Sequence, residues 1–155
     1  MPIIAAILLG VVLGILIDIP FPTSIGGDTL LGRSVLEGTV DHVRDGDTIV
    51  VEGQPVRLEG VSAPERGERH GSTSTGFMRD LVLGKVVRCE KTGSRSHDRI
   101  VAICFLNGKD IGESLIEAGY ALDCPRYSGG RYRSAEQKGQ ARYRLTGYRL
   151  PGYCR

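Results

Sequence analysis

A small closed β-barrel with helices packed on it is the fold class this chain predicts. Three observations support it. The 155 residues include 22 glycines, which call for many turns. Five short runs show strand-like alternation and are separated by turn signals. Three further segments carry helical spacing with cap residues, one between the third and fourth strands and two after the fifth.

The elements follow in order. Ile3 to Ile17 is an uncharged, mostly aliphatic run closed by Asp18. It is shorter than the roughly 20 residues a spanning helix needs. It suits the apolar part of a signal peptide, although no Lys or Arg precedes it. Residues 1–19 are therefore read as either a signal peptide or a membrane anchor, and 20–34 as a linker rich in Pro, Gly, Ser and Thr. Residues 35–155 are read as one domain, exported and either secreted, periplasmic or held at a membrane by the N-terminal segment.

Within that domain, Val35–Val43, Thr48–Glu52 and Pro55–Val61 read as a three-stranded meander, with Gly53-Gln54 as its second turn. Gly71–Leu83 reads as a helix capped by Ser72 or Thr73, its apolar spacing set by Phe77, Leu81 and Met78, and ended by Gly84. Lys85–Lys91 and Arg99–Leu106 are the fourth and fifth strands, joined by a polar connection, Thr92–Asp98. Asp110 caps the next helix, with Glu113 three residues on and Gly119 as its stop. Ser134 followed by Gln137 opens a third helix through about Tyr143. Five strands with helices so placed suit the five-stranded Greek-key barrel known as the OB-fold.

The four cysteines are Cys89, Cys104, Cys124 and Cys154. None forms C-x-x-C and no histidine has zinc-finger spacing, which argues against a zinc cluster. Cys89 and Cys104 lie on strands that would face one another, which leaves Cys124 for Cys154. Two disulfides fit an exported domain; four buried thiols would fit a reducing compartment. A formal net charge of +2 does not by itself point to a polyanionic partner. Its distribution does more: from residue 123 onward, seven arginines and one lysine stand against Asp123 and Glu136.

Chemistry concentrates between Val43 and Glu65. Asp45 and Asp47 flank Gly46 on a tight bend. Asp-Gly is also favoured in type I′ hairpin turns for backbone reasons alone. An EF-hand loop is excluded, since the places for its Gly and its Glu hold Val50 and Val56. Arg57 alternates with Val56 and Leu58, so it points away from them, either outward or into a polar cleft. Glu65 follows Pro64 near the end of the same strand, and Arg99 opens the fifth.

In this order, R-D-G-D-T-I, R-L-x-G-V-x-A-P-E and D-R-I-V-A resemble the staphylococcal nuclease (thermonuclease) family, over Val35 to Tyr127. The resemblance implies an OB barrel and calcium-dependent hydrolysis of DNA and RNA, leaving 3′-phosphorylated products. It implies that Asp47 is the main calcium ligand and that Ala63 offers the ion its backbone carbonyl. Arg57 and Arg99 would grip the scissile phosphate, and Glu65 would serve the attacking water. His97 and Tyr127 match positions near the substrate, where either could stack on a base or be an ordinary loop residue. The substrate expected is DNA or RNA, single-stranded, with no protein partner. Ser62 stands where the family has a second calcium carboxylate, so one negative charge is missing, with Asp45 placed to compensate or another divalent metal preferred. The alternative that Ser62 raises is an OB-fold module that binds nucleic acid with little or no turnover.

Overall fold

The computed structural model describes residues 34–141 and 147–155. The apolar run, the linker up to residue 33 and the end of the expected third helix lie outside the described residues. No helix among the described residues is long and apolar enough to cross a membrane.

Strand β1 (Val35–Asp45) pairs antiparallel with β2 (Thr48–Val51), and β2 with β3 (Gln54–Leu58). The turn between β2 and β3 is Glu52-Gly53 and not Gly53-Gln54. Both of its residues have positive φ, 47° and 74°, the geometry of a type I′ hairpin. The expected end of β3 at Val61 is also corrected. Gly60, at φ 71°, breaks the strand, and Val61–Ser62 forms a separate strand, β4.

Strand β5 (Val86–Ser96) lies antiparallel to β1 on one side and to β6 (Arg99–Leu106) on the other. It is longer than its sequence suggested. Arg95 and Ser96 pair with Ile100 and Arg99, so most of the expected polar connection is strand, and a tight turn at His97-Asp98 replaces it. The short β7 (Lys109–Asp110) pairs with β6. Closure comes from β3, which runs parallel to β6 with Arg57 opposite Val101. The result is a mostly antiparallel, OB-like α+β fold.

The alternation that marked the strands is the alternation of burial. Val43, Ile49, Val51, Val56, Leu58, Val87, Cys89, Ala102 and Cys104 are all at or below 3% exposure and fill the barrel. Disulfides Cys89–Cys104 and Cys124–Cys154 both form, as the strand reading expected, and no cysteine is free.

Helix α1 (Gly71–Val82) packs on β1. Its inner stripe is Met78 and Val82, while Phe77 is only partly buried, its ring 4.8 Å from that of Tyr120. Neither Ser72 nor Thr73 caps it. Its N-cap is His70, in the left-handed region with no side-chain cap bond. Helix α2 (Ile111–Glu117) is capped by Asp110 as expected, with Oδ1 accepting from the amides of Gly112 and Glu113. Its other oxygen accepts from the hydroxyl of buried Tyr132, so one carboxylate fastens two helices. Strand β8 (Leu122–Asp123) pairs with β4. Two short helices follow: α3 (Pro125–Ser128), which the sequence did not predict, and α4 (Arg133–Gln140). Helix α4 starts one residue before Ser134, and that serine does not cap it.

Candidate active site in the basic cleft

The site begins at the turn joining β1 to β2, where Asp45 faces Thr48 across Gly46 and Asp47. Neither central residue has positive φ, so this is not a type I′ turn. Gly46 is needed for space instead. A Cβ there would overlap the Ser74 hydroxyl of α1 and lie 2.8 Å from the Cβ of Ala63. Gly46→Ala should therefore destabilise the fold by about 1–3 kcal/mol, as overpacking does, read as a lower urea midpoint at unchanged m.

That close approach seals Asp47 at 1% exposure. Its carboxylate is engaged by three protein groups. Oδ2 accepts from the Ala63 amide at 3.0 Å, Oδ1 accepts from the Thr48 hydroxyl at 3.2 Å, and Arg57 forms an ion pair with Oδ1. Arg99 joins the same network, with Nη1 donating to Thr48 Oγ1 at 3.0 Å and Nη2 to Ser96 Oγ at 2.9 Å. Both arginines thus connect to one buried acid. The parallel β3–β6 pairing is what brings them to the same end of the barrel. Burial, then the nearby charge of Arg99, pushes the Arg57 guanidinium below its ordinary pKa. An anion between the two would relieve that repulsion.

Arg57, Glu65, His97, Arg99, Tyr127 and Tyr153 line one open cleft of about 470 Å³. His97 sits in the turn between β5 and β6 with φ 58°, and Tyr127 is exposed on α3. Glu65 reaches the cleft from the segment after β4. Gly71 leaves room for that segment, since any Cβ there would collide with the Glu65 backbone carbonyl. Partial burial, then the negative charge of Asp45, raises the Glu65 pKa above the usual carboxylate range, while Arg57 and Arg99 pull it down less strongly.

Ser62 is buried and shares a 2.9 Å hydrogen bond with the hydroxyl of Tyr148. Among the described residues, no three His, Cys, Asp or Glu side chains form a ready-made metal site.

Sequence reasoning missed Thr48, Tyr148 and Tyr153. Thr48 read as an ordinary strand residue. The two tyrosines lie on the C-terminal segment, and only the Cys124–Cys154 pairing, which returns that segment to the cleft, could have pointed to them.

The family described as staphylococcal nuclease homologue matches residues 55–144. The chain is 36% identical over 110 residues to the succinoglycan biosynthesis protein ExoI of Rhizobium meliloti, covering 61% of this chain and 56% of that protein. It is 29% identical over 109 residues to an uncharacterized endonuclease of Haemophilus influenzae, with coverage of 66% and 61%. An uncharacterized endonuclease of Escherichia coli matches at 31% over 98 residues, with coverage of 60% and 64%. The chain thus spans less than two thirds of the length of each of these relatives. The family match covers more than half of the chain, including Arg57, Glu65 and Arg99, and the chain belongs to the staphylococcal nuclease family.

Proposed function

We propose that this protein is a metal-dependent nuclease that hydrolyses phosphodiester bonds in single-stranded DNA or RNA. One observation carries the reading: two arginines and a glutamate from three separate segments line a single cleft. Guanidinium forks pair with phosphate oxygens and meet the charge that develops at phosphorus. A glutamate in reach of water can orient it or take its proton.

A hard divalent cation, calcium by the family's habit, fits the donors in part. Asp45 and Glu65 come close enough for the first to raise the pKa of the second, a crowding of negative charge that a cation offsets. Asp45, Asp47 and the Ala63 carbonyl would hold the ion, with Ser62 supplying only a neutral oxygen. A carboxylate has about four lone-pair directions, so Asp47 can accept a further partner beside those it has. When bound, the ion would polarise the phosphoryl oxygen. In the chain itself, Arg57 and Arg99 would hold the phosphate and Glu65 would face the attacking water.

Cleavage then requires Glu65 ionised. Activity should therefore increase as pH rises through the Glu65 titration; burial and the charge of Asp45 raise that titration in the ion-free chain, and a bound cation opposes the Asp45 part of the shift. A pH profile of kcat/KM without an acid limb would argue against Glu65 as the proton acceptor.

The Ser62–Tyr148 hydrogen bond favours a second reading, an OB barrel that binds single strands without cutting them. Incubating the chain with labelled single-stranded DNA, with calcium and then with a chelator, separates the two. Chelator-sensitive cutting supports the nuclease. Salt-sensitive retention of uncut strand, with cutting appearing only in Ser62→Asp, would leave the binding module standing.

Export, with anchoring or cleavage at residues 1–19, is part of the same proposal. Membrane fractionation and the mass of the mature chain test it.

A further inference from the structure

The segment Gly147–Arg155 lies beyond the stretch that matches the family, yet it brings Tyr153 into the lining of the cleft. It is pinned at two points. Tyr148 bonds Ser62 at 2.9 Å, and Cys154, fully buried on a short 3-10 turn, is bridged to Cys124. Between these pins stands Tyr153, 54% exposed on the same 3-10 turn as Cys154.

Its ring borders two adjoining pockets. One contains Arg57, Arg99 and Tyr127; the other contains Arg69, Arg149 and Tyr148; Glu65 is shared by both. An exposed aromatic ring beside guanidinium groups is what a nucleobase stacks on, and every base offers a π-face. Anchoring its backbone through the neighbouring disulfide lowers the ordering penalty of binding. The second pocket's cations extend the same track for a phosphate backbone.

We infer that Tyr153 is a base-stacking residue for a nucleotide flanking the scissile phosphate, held in position by the Cys124–Cys154 disulfide. The assignment rests on the nuclease reading of the cleft. Tyr127, equally exposed on the other side of Cys124, offers a second ring to the same strand.

The test is fluorescence anisotropy of a fluorescein-labelled twelve-nucleotide oligothymidylate with the full chain in mild detergent, a chelator preventing cleavage. Tyr153→Leu should weaken binding about 5- to 100-fold, and Tyr153→Phe should stay within about twofold of the parent. The Cys124→Ala/Cys154→Ala pair should lose as much as Tyr153→Leu. Adding Tyr153→Leu to that pair should lose no more, since the ring is already displaced.

Tyr153→Leu binding like the parent overturns the stacking role, and this half is decided even if the cysteine variant melts. Additive losses overturn the positioning role of the disulfide. A parent chain that neither binds nor cuts the strand overturns the nuclease reading itself. A parent that does both while Tyr153→Leu matches it overturns this inference alone.

Discussion

Glu65→Gln is expected to lower cleavage of single-stranded DNA by about 10²–10⁴-fold, the usual worth of a positioned general base. The amide keeps the shape of the side chain but cannot accept a proton. Thermal stability should hold or rise slightly, because Glu65 is partly desolvated beside Asp45 and the substitution removes that repulsion. Binding of the uncut strand in chelator should also survive, since Arg57 and Arg99 remain. The diagnostic pattern is lost turnover with retained affinity and retained fold. Glu65→Gln cutting at the parent's rate would remove Glu65 from the chemistry.

Arg57→Ala should act twice. Asp47 has a side-chain exposure of 2% and Arg57 of 16%, so truncating the arginine strands a buried carboxylate. Losing one partner of a buried pair destabilises by about 3–5 kcal/mol. The Thr48 hydroxyl and Ala63 amide still donate to Asp47, which places this site toward the lower end. Urea unfolding should show the loss, and the Asp47→Ala/Arg57→Ala double variant should be more stable than Arg57→Ala alone. Cleavage should vanish in both variants. If the double variant were the less stable of the two, the stranded charge would not be the cause.

How far the sequence reached can be judged from particular residues. The barrel was legible because Val56-Arg57-Leu58 and similar runs alternate between core and cleft, and that alternation is the physical content of a strand. Strand ends were not legible. Thr92–Ser96 is rich in small polar residues, and only its pairing with β6 makes it strand. Local capping rules gave Asp110 correctly but failed at Ser72 and Ser134, where tertiary packing sets the start of the helix.

In the site, Arg57, Glu65, His97, Arg99 and Tyr127 do share one cleft. Asp47, read as the main metal ligand, sits in a network with Thr48, Arg57 and the Ala63 amide. That network joins residues distant in the chain, and spacing carries no trace of it. The reason for Gly46 was also hidden. A glycine between two aspartates suggests a turn type, while the actual constraint is the hydroxyl of a serine on another element.

The parallel pairing of β3 with β6 has a dynamic consequence. It is the seam that shuts the barrel, joining segments more than forty residues apart in sequence, so loop-closure entropy opposes it more than it opposes any hairpin in the fold. If the seam parts, the hairpins on either side can persist while Arg57 and Arg99 separate. The proposed grip on phosphate would therefore exist only in the closed form. A bound polyanion would hold the seam shut through linkage and slow amide exchange at Glu59, whose N–H bonds to the Ala102 carbonyl across the joint. Exchange at that amide would report ligand binding and barrel closure as a single equilibrium.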